Sequence, residues 1–220
     1  MNTHAREAVG ARFDPALLQA ARARAWTVLH ALRVQMRPGI DEAAAQALAS
    51  ATIAAHGCER LWHRPIIRIG ANTTRTFRQA SDASVHLAAD DGFFIDLGLV
   101  FDGHEADVGD SFSIGHAPLQ QACAEAARAL FIEVADRWRD AGLNGTALYA
   151  FAAARAEAMG WRFNHAIKGH RIGDFPHAIH KGGELGNLPA TPGAARWILE
   201  IQIAHPVLPF GAFYEDLLDT

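Results

Sequence analysis

The segment Phe93–Ile114 (FFIDLGLVFDGHEADVGDSFSI) constrains the fold of this chain more than any other part of it. The dipeptide Asp102-Gly103 at its centre is typical of a two-residue hairpin turn, because a type I′ turn requires positive φ at both central residues. The first arm, Phe93–Phe101, is apolar on both faces, as in a strand that is covered on both sides. The sequence therefore predicts a long β-hairpin in the interior of a domain.

Two aspartates on this hairpin are the first candidates for a functional role. If residues 102 and 103 form the turn, Asp96 lies opposite Gly109 and Asp107 lies opposite Gly98. The two side chains then share one face as diagonal neighbours, with Cβ atoms roughly 7 Å apart. Like charges at that distance repel each other unless a cation or a proton lies between them. An exposed acidic strand face is the alternative, but the apolar flanks favour a buried metal site.

Composition and charge exclude several classes of protein. Half of the 220 residues are apolar and a fifth are charged, as in an ordinary soluble globular domain. No apolar run approaches the ~18 residues of a membrane span, and the N-terminal residues contain no signal-peptide core. A net charge of −4 without a basic tract argues against nucleic acid or an acidic membrane as partner. The isolated Cys58 and Cys123 are typical of a reducing compartment, so we expect a cytoplasmic protein without a thiolate metal cluster.

The chain repeats one order of elements: long helix, short turn, helix, polar stretch, strand and strand. Capping residues and prolines predict where the four helices begin, and the last two strands follow from apolar runs. The predicted helix starts are Asp14-Pro15, Asp41, Pro118 and Thr146, and the predicted last strands are Trp197–Ala204 and Ala212–Leu218. We therefore expect a short N-terminal extension, 1–13, and one domain, 14–220, composed of pseudo-repeats 14–115 and 118–220.

The duplication extends to acidic residues. Glu200 follows Asp96 by 104 residues, and Glu215 follows Asp107 by 108 residues, which is close to the spacing of the helix starts. Each half thus places one carboxylate on each of its last two strands. The simplest arrangement is an internally duplicated α/β domain, with two half-sheets that face each other and four acidic side chains that converge between them.

Four buried carboxylates are electrostatically untenable without cations. With one histidine added, the set becomes an oxygen-rich site of the kind that suits two divalent ions such as Mn, Co, Fe or Zn. Two such ions about 3.5–4 Å apart bridge a water, lower its pKa and polarise a carbonyl group. The composition of the site therefore indicates hydrolysis.

Five short motifs in order give the chain a resemblance to a known family. From about residue 14 it resembles the methionine aminopeptidase, prolidase, aminopeptidase P and creatinase group, whose architecture is called the pita-bread fold. The motifs are Ile95-Asp96-Leu97-Gly98, Ala106-Asp107, Gly169-His170-Arg171-Ile172-Gly173 with His177 beyond it, Ile198-Leu199-Glu200 and Tyr214-Glu215-Asp216.

The resemblance implies a role for each of these residues. Asp96 is expected to chelate one metal ion, and Asp107 and Glu215 to bridge both ions. His170 and Glu200 are expected to complete the second ion, and Glu200 also to shuttle protons. His177 is implied as the group that hydrogen-bonds the substrate carbonyl or the oxyanion. On its own, a histidine such as His170 is more commonly a packed or surface residue. The carboxylates that match the family pattern elsewhere in the chain favour a role for it as a metal ligand.

Other positions depart from the family pattern. The peptidases carry a histidine in a segment of the form Gly-x-Asn-x-x-x-x-His; Gly70 and Asn72 match it, but Phe77 stands at the histidine position and the next histidine is His86. Phe77 is thus a candidate substrate contact. Arg171 is a candidate for binding a substrate carboxylate, with a solvated or ion-paired arginine as the alternative. His180 is a candidate pocket residue, with a structural role as the alternative.

The leading hypothesis is a dinuclear metallohydrolase, an Xaa-Pro peptidase- or aminopeptidase-like enzyme that acts on a small peptide or amide. Two alternatives stay open. Phe77 and Arg171 favour the same site acting on a small non-peptide substrate, and some proteins of this fold are non-catalytic binding proteins. A homodimer is a further expectation.

Overall fold

The computed structural model describes residues 3–176 and 183–219 and combines five α-helices with one eight-stranded sheet in this part of the chain. The helices are α1 (Thr3–Arg6), α2 (Pro15–Arg33), α3 (Glu42–Ala55), α4 (Pro118–Ala141) and α5 (Gly145–Ala158). The strands are β1 (Arg60–Leu61), β2 (Ile66–Ile69), β3 (Asp91–Phe101), β4 (His104–Ile114), β5 (Arg162–Phe163), β6 (His170–Arg171), β7 (Trp197–Ala204) and β8 (Gly211–Leu217). No described helix has the length and apolar character needed to cross a membrane.

Two antiparallel hairpins, β3–β4 and β7–β8, form the middle of the sheet and meet edge to edge between β4 and β8. The strand order is β1-β3-β4-β8-β7-β5, with β2 paired to β3 and β6 paired to β7. The first hairpin has the predicted register, since Asp96 faces Gly109 and Gly98 faces Asp107. Its turn residues Asp102 and Gly103 have φ of 50° and 68°, as a type I′ turn requires. The two central turn residues thus set the register of the whole hairpin.

Each hairpin packs against its own pair of helices. Side chains of α2 and α3 cover the first hairpin, where Leu29 of α2 and Leu97 of β3 are fully buried. Side chains of α4 and α5 cover the second hairpin, where Leu130 of α4 and Leu199 of β7 are fully buried. Apolar residues on the helix-facing side of the sheet therefore supply most of the core, and the opposite side is left for polar groups.

The predicted helix starts hold except for the last one. Asp14 and Asp41 cap α2 and α3, and Pro118 is the first residue of α4. The prediction that Thr146 caps α5 was wrong, because the extended residue Asn144 accepts a hydrogen bond from Ala147 N (2.8 Å) and fills that role. The last strand also begins one residue earlier than predicted, at Gly211.

The residues before α2 pack along the second hairpin. Glu7 Oε1 accepts hydrogen bonds from Trp197 Nε1 (2.7 Å) and Gly193 N (2.8 Å). The backbone N–H of Gly10 donates to Asp174 Oδ1 (2.6 Å). The described part of the predicted extension 1–13 is therefore held against the domain by several hydrogen bonds.

Candidate metal centre

One row of paired residues crosses the four central strands and carries three carboxylates. Asp96 on β3 faces Gly109 on β4, Gly109 faces Glu215 on β8, and Glu215 faces Glu200 on β7. Gly109 leaves the space that the acidic side chains need, because a Cβ at this position would lie 2.9 Å from Glu215 Oε1. Strand register alone therefore brings acidic residues from both halves of the chain together.

The fourth carboxylate, Asp107, lies two residues along β4 and is enclosed by two imidazoles. His170 Nε2 is 2.7 Å from Asp107 Oδ2, and His63 Nε2 is 3.2 Å from Asp107 Oδ1. His63 Nε2 also lies 3.3 Å from Asp96 Oδ1. Each oxygen of Asp107 thus faces one histidine, with His63 on the side of Asp96.

Backbone contacts fix the orientation of Glu200. Its Oε2 accepts a hydrogen bond from Gly169 N (2.7 Å), at the residue before His170. Gly169 has φ of +66°, and a Cβ there would lie 2.3 Å from the carbonyl oxygen of Ile198, so this position requires glycine. The hydroxyl of Tyr149 donates to the carbonyl oxygen of Glu200 (3.0 Å) and holds the backbone at the same residue.

The two imidazoles and Asp107 shift each other's pKa values. Burial lowers the pKa of His63, but the charges of Asp96 and Asp107 outweigh it and raise that pKa to about 10. Burial is likewise outweighed at His170, where the hydrogen bond to Asp107 raises the pKa to about 9. Burial alone would raise the pKa of Asp107, but the charge of His63 and the hydrogen bond to His170 lower it to about 2. Without a metal ion, Asp107 is therefore an ionised group between two imidazolium rings.

The other three carboxyl groups have raised pKa values. Burial raises the pKa of Asp96 to about 7, although the charge of His63 opposes this. Burial also raises the pKa of Glu200, and that of Glu215 lies well above its usual range because of burial and the charges of Asp107 and Asp96. Ionisation of the whole set therefore requires more positive charge than the two imidazoles supply.

Unpartnered oxygens at the centre show that the residues suit a cation. Both carboxylate oxygens of Glu215 and Oδ1 of Asp96 are buried and accept no hydrogen bond within the described part of the chain. Asp96 and Glu215 face each other, and a hydrogen bond between them requires one of them to be protonated. Ligand atoms converge in two overlapping groups: the first group is His63, Asp96 and Asp107, and the second group is Asp107, His170 and Glu215. Hard divalent cations are coordinated by oxygen atoms, and buried oxygens that lack a hydrogen-bond donor are suited to bind them.

A cavity of about 450 Å³ opens onto these groups. Its floor is formed by Asp96, Asp107, His170 and Glu200, and its walls include Trp62, His63, Arg64, Ile66 and Phe77. The ring of Trp62 packs edge-on against both His63 and His170, with centroids 4.5 Å and 5.0 Å away. The site therefore combines an acidic floor with largely apolar walls, as small-molecule pockets with a few convergent polar groups do.

Comparison with known proteins agrees with this geometry. A family model described as metallopeptidase family M24 matches residues 16–201, which is most of the chain. The chain belongs to metallopeptidase family M24. This membership confirms the predicted relationship and the pita-bread fold, and it supports the predicted class, a metallohydrolase. No curated protein sequence matches the chain.

Solved structures share the M24 fold at low sequence identity. The X-Pro aminopeptidase of Thermotoga maritima is 20% identical with a TM-score of 0.74, and the match covers 99% of this chain and 64% of that one. The prolidase of Pyrococcus horikoshii is 18% identical with a TM-score of 0.75, with 96% and 60% covered. The methionine aminopeptidase of Thermotoga maritima is 13% identical with a TM-score of 0.69, with 94% of each chain covered. This M24 chain therefore spans less than two thirds of the first two structures.

The structure brings together all five residues predicted as M24 metal ligands. Asp96, Asp107 and Glu215 are buried, and His170 and Glu200 are half-buried at the cavity. Phe77 lines the same cavity, as the prediction of a substrate contact requires, and 46% of its surface is exposed. His177 and His180 lie outside the described residues, so their predicted roles in substrate binding stay predictions.

The substrate-binding prediction for Arg171 was wrong. Arg171 is only 2% exposed, and it donates hydrogen bonds to the carbonyl oxygens of Arg6, Ala8, Ile172 and Arg196. Neighbouring residues on a strand point to opposite faces, so His170 facing the cavity turns Arg171 away from it. Its guanidinium joins the N-terminal residues to the second hairpin, and burial lowers its pKa to about 10.

Sequence reasoning missed His63. The additional histidine of the family pattern follows the positions of Gly70 and Asn72, whereas His63 precedes both residues. One signal was present in the sequence. His63 precedes His170 by 107 residues, which lies within the spacing of the two carboxylate pairs, and an arginine follows each histidine.

Proposed function

We propose that this protein is a divalent-metal-dependent hydrolase that releases an N-terminal residue from a small peptide or amide, with Xaa-Pro peptides as the leading substrate class. The observation that carries the proposal is the set of buried, unpartnered oxygens of Asp96, which lines the cavity, and of Glu215, which pairs with the cavity residue Glu200 on the neighbouring strand. Family membership supports the same reaction class. The X-Pro aminopeptidase of Thermotoga maritima and the prolidase of Pyrococcus horikoshii, which share this fold, favour that substrate class.

Five residues would hold two divalent ions. Asp107 and Glu215 would bridge them, Asp96 would belong to the first ion, and His170 and Glu200 to the second. Such ions supply an activated water and polarise the substrate carbonyl. The remaining chemistry falls to the protein: Glu200 lines the cavity, where its carboxylate would accept a proton and pass it to the leaving amine. His177 is proposed to hydrogen-bond the carbonyl oxygen of the substrate.

The cavity limits the substrate to a small molecule. A volume of about 450 Å³ lies near the lower end of the range for ligand pockets, which suits a dipeptide or a compact amide. Trp62, Ile66 and Phe77 provide an apolar wall beside the acidic floor. A substrate with one apolar side chain next to the scissile bond would place that side chain on the apolar wall and the scissile bond at the acidic floor.

Metal content and a substrate panel test the proposal. Protein that has been stripped with chelator and reloaded with Mn, Co, Fe or Zn is expected to bind two equivalents. The reloaded protein is then assayed on Xaa-Pro dipeptides, Met-Xaa dipeptides and unrelated amides. Less than one bound equivalent of metal would refute the dinuclear site, and turnover of an Xaa-Pro peptide in the metal-loaded form alone would support the leading substrate class.

Phe77 favours a second candidate, the hydrolysis of a small non-peptide amide at the same site. The side chain is a cavity wall at the position where the family's peptidases carry a histidine, so the site has one fewer donor for a peptide amide. Two bound metal ions with turnover of non-peptide amides, but of no peptide in the panel, would select this candidate. A non-catalytic binding protein is disfavoured because the complete ligand set is present.

Location and assembly are also proposals. The described cysteines, Cys58 and Cys123, are free thiols, and we infer a cytoplasmic location from them. A homodimer is proposed as the assembly, with light scattering on the purified protein as the test. The net charge of −4 supports a partner list limited to the small substrate, without nucleic acid or membrane.

A further inference from the structure

His63 is oriented in the way that metal-binding histidines are oriented. Its Nδ1 lies 2.7 Å from the carbonyl oxygen of Arg64, which can only accept a hydrogen bond, so Nδ1 carries the proton. When a metal ion takes the place of the proton on Nε2, the neutral ring presents the lone pair of Nε2 on its other side. His170 has the same arrangement, with Nδ1 2.8 Å from the carbonyl oxygen of Arg171. A backbone carbonyl that fixes the tautomer is the usual support of a metal-binding imidazole.

The Nε2 atom of His63 faces two acceptors and no donor among the groups that the structure places around it. Asp107 Oδ1 lies 3.2 Å away and Asp96 Oδ1 lies 3.3 Å away. In the imidazolium a proton on Nε2 separates the ring from these oxygens, and in the neutral ring a cation takes the place of that proton. Asp96 Oδ1 has no hydrogen-bond partner in the described residues, so His63 does not satisfy it by direct hydrogen bonding.

The main chain leaves room for this ring. Gly98 lies opposite Asp107 in the hairpin, and a Cβ at Gly98 would come within 2.0 Å of His63 Cδ2 and 2.3 Å of Nε2. The ring therefore lies against a strand residue that has no side chain. His63 reaches the acidic floor because of a specific gap in β3, and it is not a surface histidine that happens to be close.

We infer that His63 is a metal ligand, the nitrogen donor of the first group, together with Asp96 and Asp107. This inference rests on the proposed function, since it assigns one further ligand to the same dinuclear site. Each of the two ions then has its own imidazole, His63 for the first and His170 for the second, with Asp107 between them. An added nitrogen donor favours Co, Fe and Zn over Mn at the first position, because imidazole suits those ions better than it suits Mn.

The number of coordinated imidazoles is measured on the intact, Co(II)-loaded protein. Nδ1–H protons of imidazoles bound to paramagnetic Co(II) give strongly shifted NMR signals, and hydrogen bonds to carbonyl oxygens slow their exchange with water. We expect two such signals in the wild type and one in His63→Ala. Calorimetric titration with Co(II) is expected to show that the first site is weakened about tenfold or more in the variant, with the second site retained.

A matched control separates a ligand from any other histidine. His86 is exposed, and its Nδ1 lies 2.9 Å from the carbonyl oxygen of Ser84, so it shares the local hydrogen bond of His63 but is remote from the floor. His86→Ala should keep two shifted signals and both affinities. The number of shifted imidazole signals in the wild-type protein is measured without any variant, so it tests the inference even if His63→Ala fails to fold.

The outcomes distinguish this inference from the proposed function. Two bound Co(II) ions with one shifted imidazole signal in the wild type would overturn the role of His63 and leave the dinuclear hydrolase intact. Unchanged affinities in a folded His63→Ala protein would overturn it equally. Less than one bound ion in the wild type would refute the proposed function, and the role of His63 with it.

Discussion

The imidazole of His63 occupies the space that a side chain at residue 98 would fill, because Gly98 has no Cβ and the ring lies against its backbone. Gly98 also faces Asp107 across the hairpin, so the ring, the gap and the carboxylate form one unit. A substitution at the glycine therefore acts on the metal centre through the histidine, although the glycine itself supplies no ligand.

Replacement of Gly98 with alanine is expected to displace the ring of His63 while the fold is kept, because the clash falls on a side chain and not on the backbone. The expected result is a loss of Co(II) affinity at the first site of about tenfold, similar to that of His63→Ala. The double variant should lose no more than either single variant, since both changes remove the same contact. Gly173→Ala is the control, because a Cβ there meets Val9 only at an ordinary 3.6 Å. Additive losses in the double variant would contradict the coupling.

Metal removal should lower the thermal stability of the protein and reloading should restore it. Ions that bind only the folded state stabilise it by about 2.7 kcal/mol at a hundredfold excess over Kd. For a chain of this size, that corresponds to a rise in Tm of about 5–10 °C in differential scanning fluorimetry. Asp107→Ala should abolish the shift and the activity together, because Asp107 belongs to both ligand groups. A shift of equal size in Asp107→Ala would show that the ions bind elsewhere.

Phe77→His tests whether this cavity wall limits peptide cleavage. The side chain lines the same cavity as Asp96, so an imidazole there is expected to add a donor beside the substrate amide. We expect kcat/KM on peptides to rise about tenfold or more, in keeping with the size of single hydrogen-bond effects on reaction rates. Phe77→Leu is the control for lost aromatic bulk. Equal rates in the two variants would mean that the histidine position does not limit peptide cleavage.

Structural features that depend on a short stretch of chain could be predicted from local sequence signals. Asp102-Gly103 set the register of the first hairpin, and that register in turn put Asp96 and Asp107 on one face. Spacing between repeats then placed Glu200 and Glu215 on the facing strands, because each half folds by the same local rules.

Positions set by tertiary contact could not be predicted in the same way. His63 lies between the short strands β1 and β2, where no periodic pattern shows which way a side chain points, and its place depends on the gap at Gly98. Arg171 belongs to a two-residue strand, too short for alternation to be visible in the sequence. Only the structure shows that its partners are backbone carbonyls of the N-terminal residues.

Arg171→Met is expected to destabilise the protein without a direct effect on substrate binding. The substitution leaves carbonyl oxygens of Arg6 and Ala8 without their donor and weakens the attachment of the residues before α2. We expect a loss of about 2–4 kcal/mol in the free energy of unfolding, measured by urea denaturation, because a buried network is broken. Limited proteolysis should cut the chain before Phe13 in the variant but not in the wild type. Arg37→Met, at an exposed arginine, is the control, and a raised KM with unchanged stability in Arg171→Met would restore the substrate role.

The two thiols should differ sharply in reactivity. Cys123 is fully buried in the core beneath the second hairpin, and burial raises its pKa to about 12, so only about one thiol in ten thousand is ionised at pH 8. Cys58 is partly exposed next to β1. A disulfide reagent should therefore titrate one thiol per chain in the native protein and two in guanidinium chloride. Cys58→Ser should abolish the reaction of the folded protein with the reagent, and Cys123→Ala should preserve it. A rapid reaction of folded Cys58→Ser would show that the helices over the second hairpin open far more readily than their packing implies.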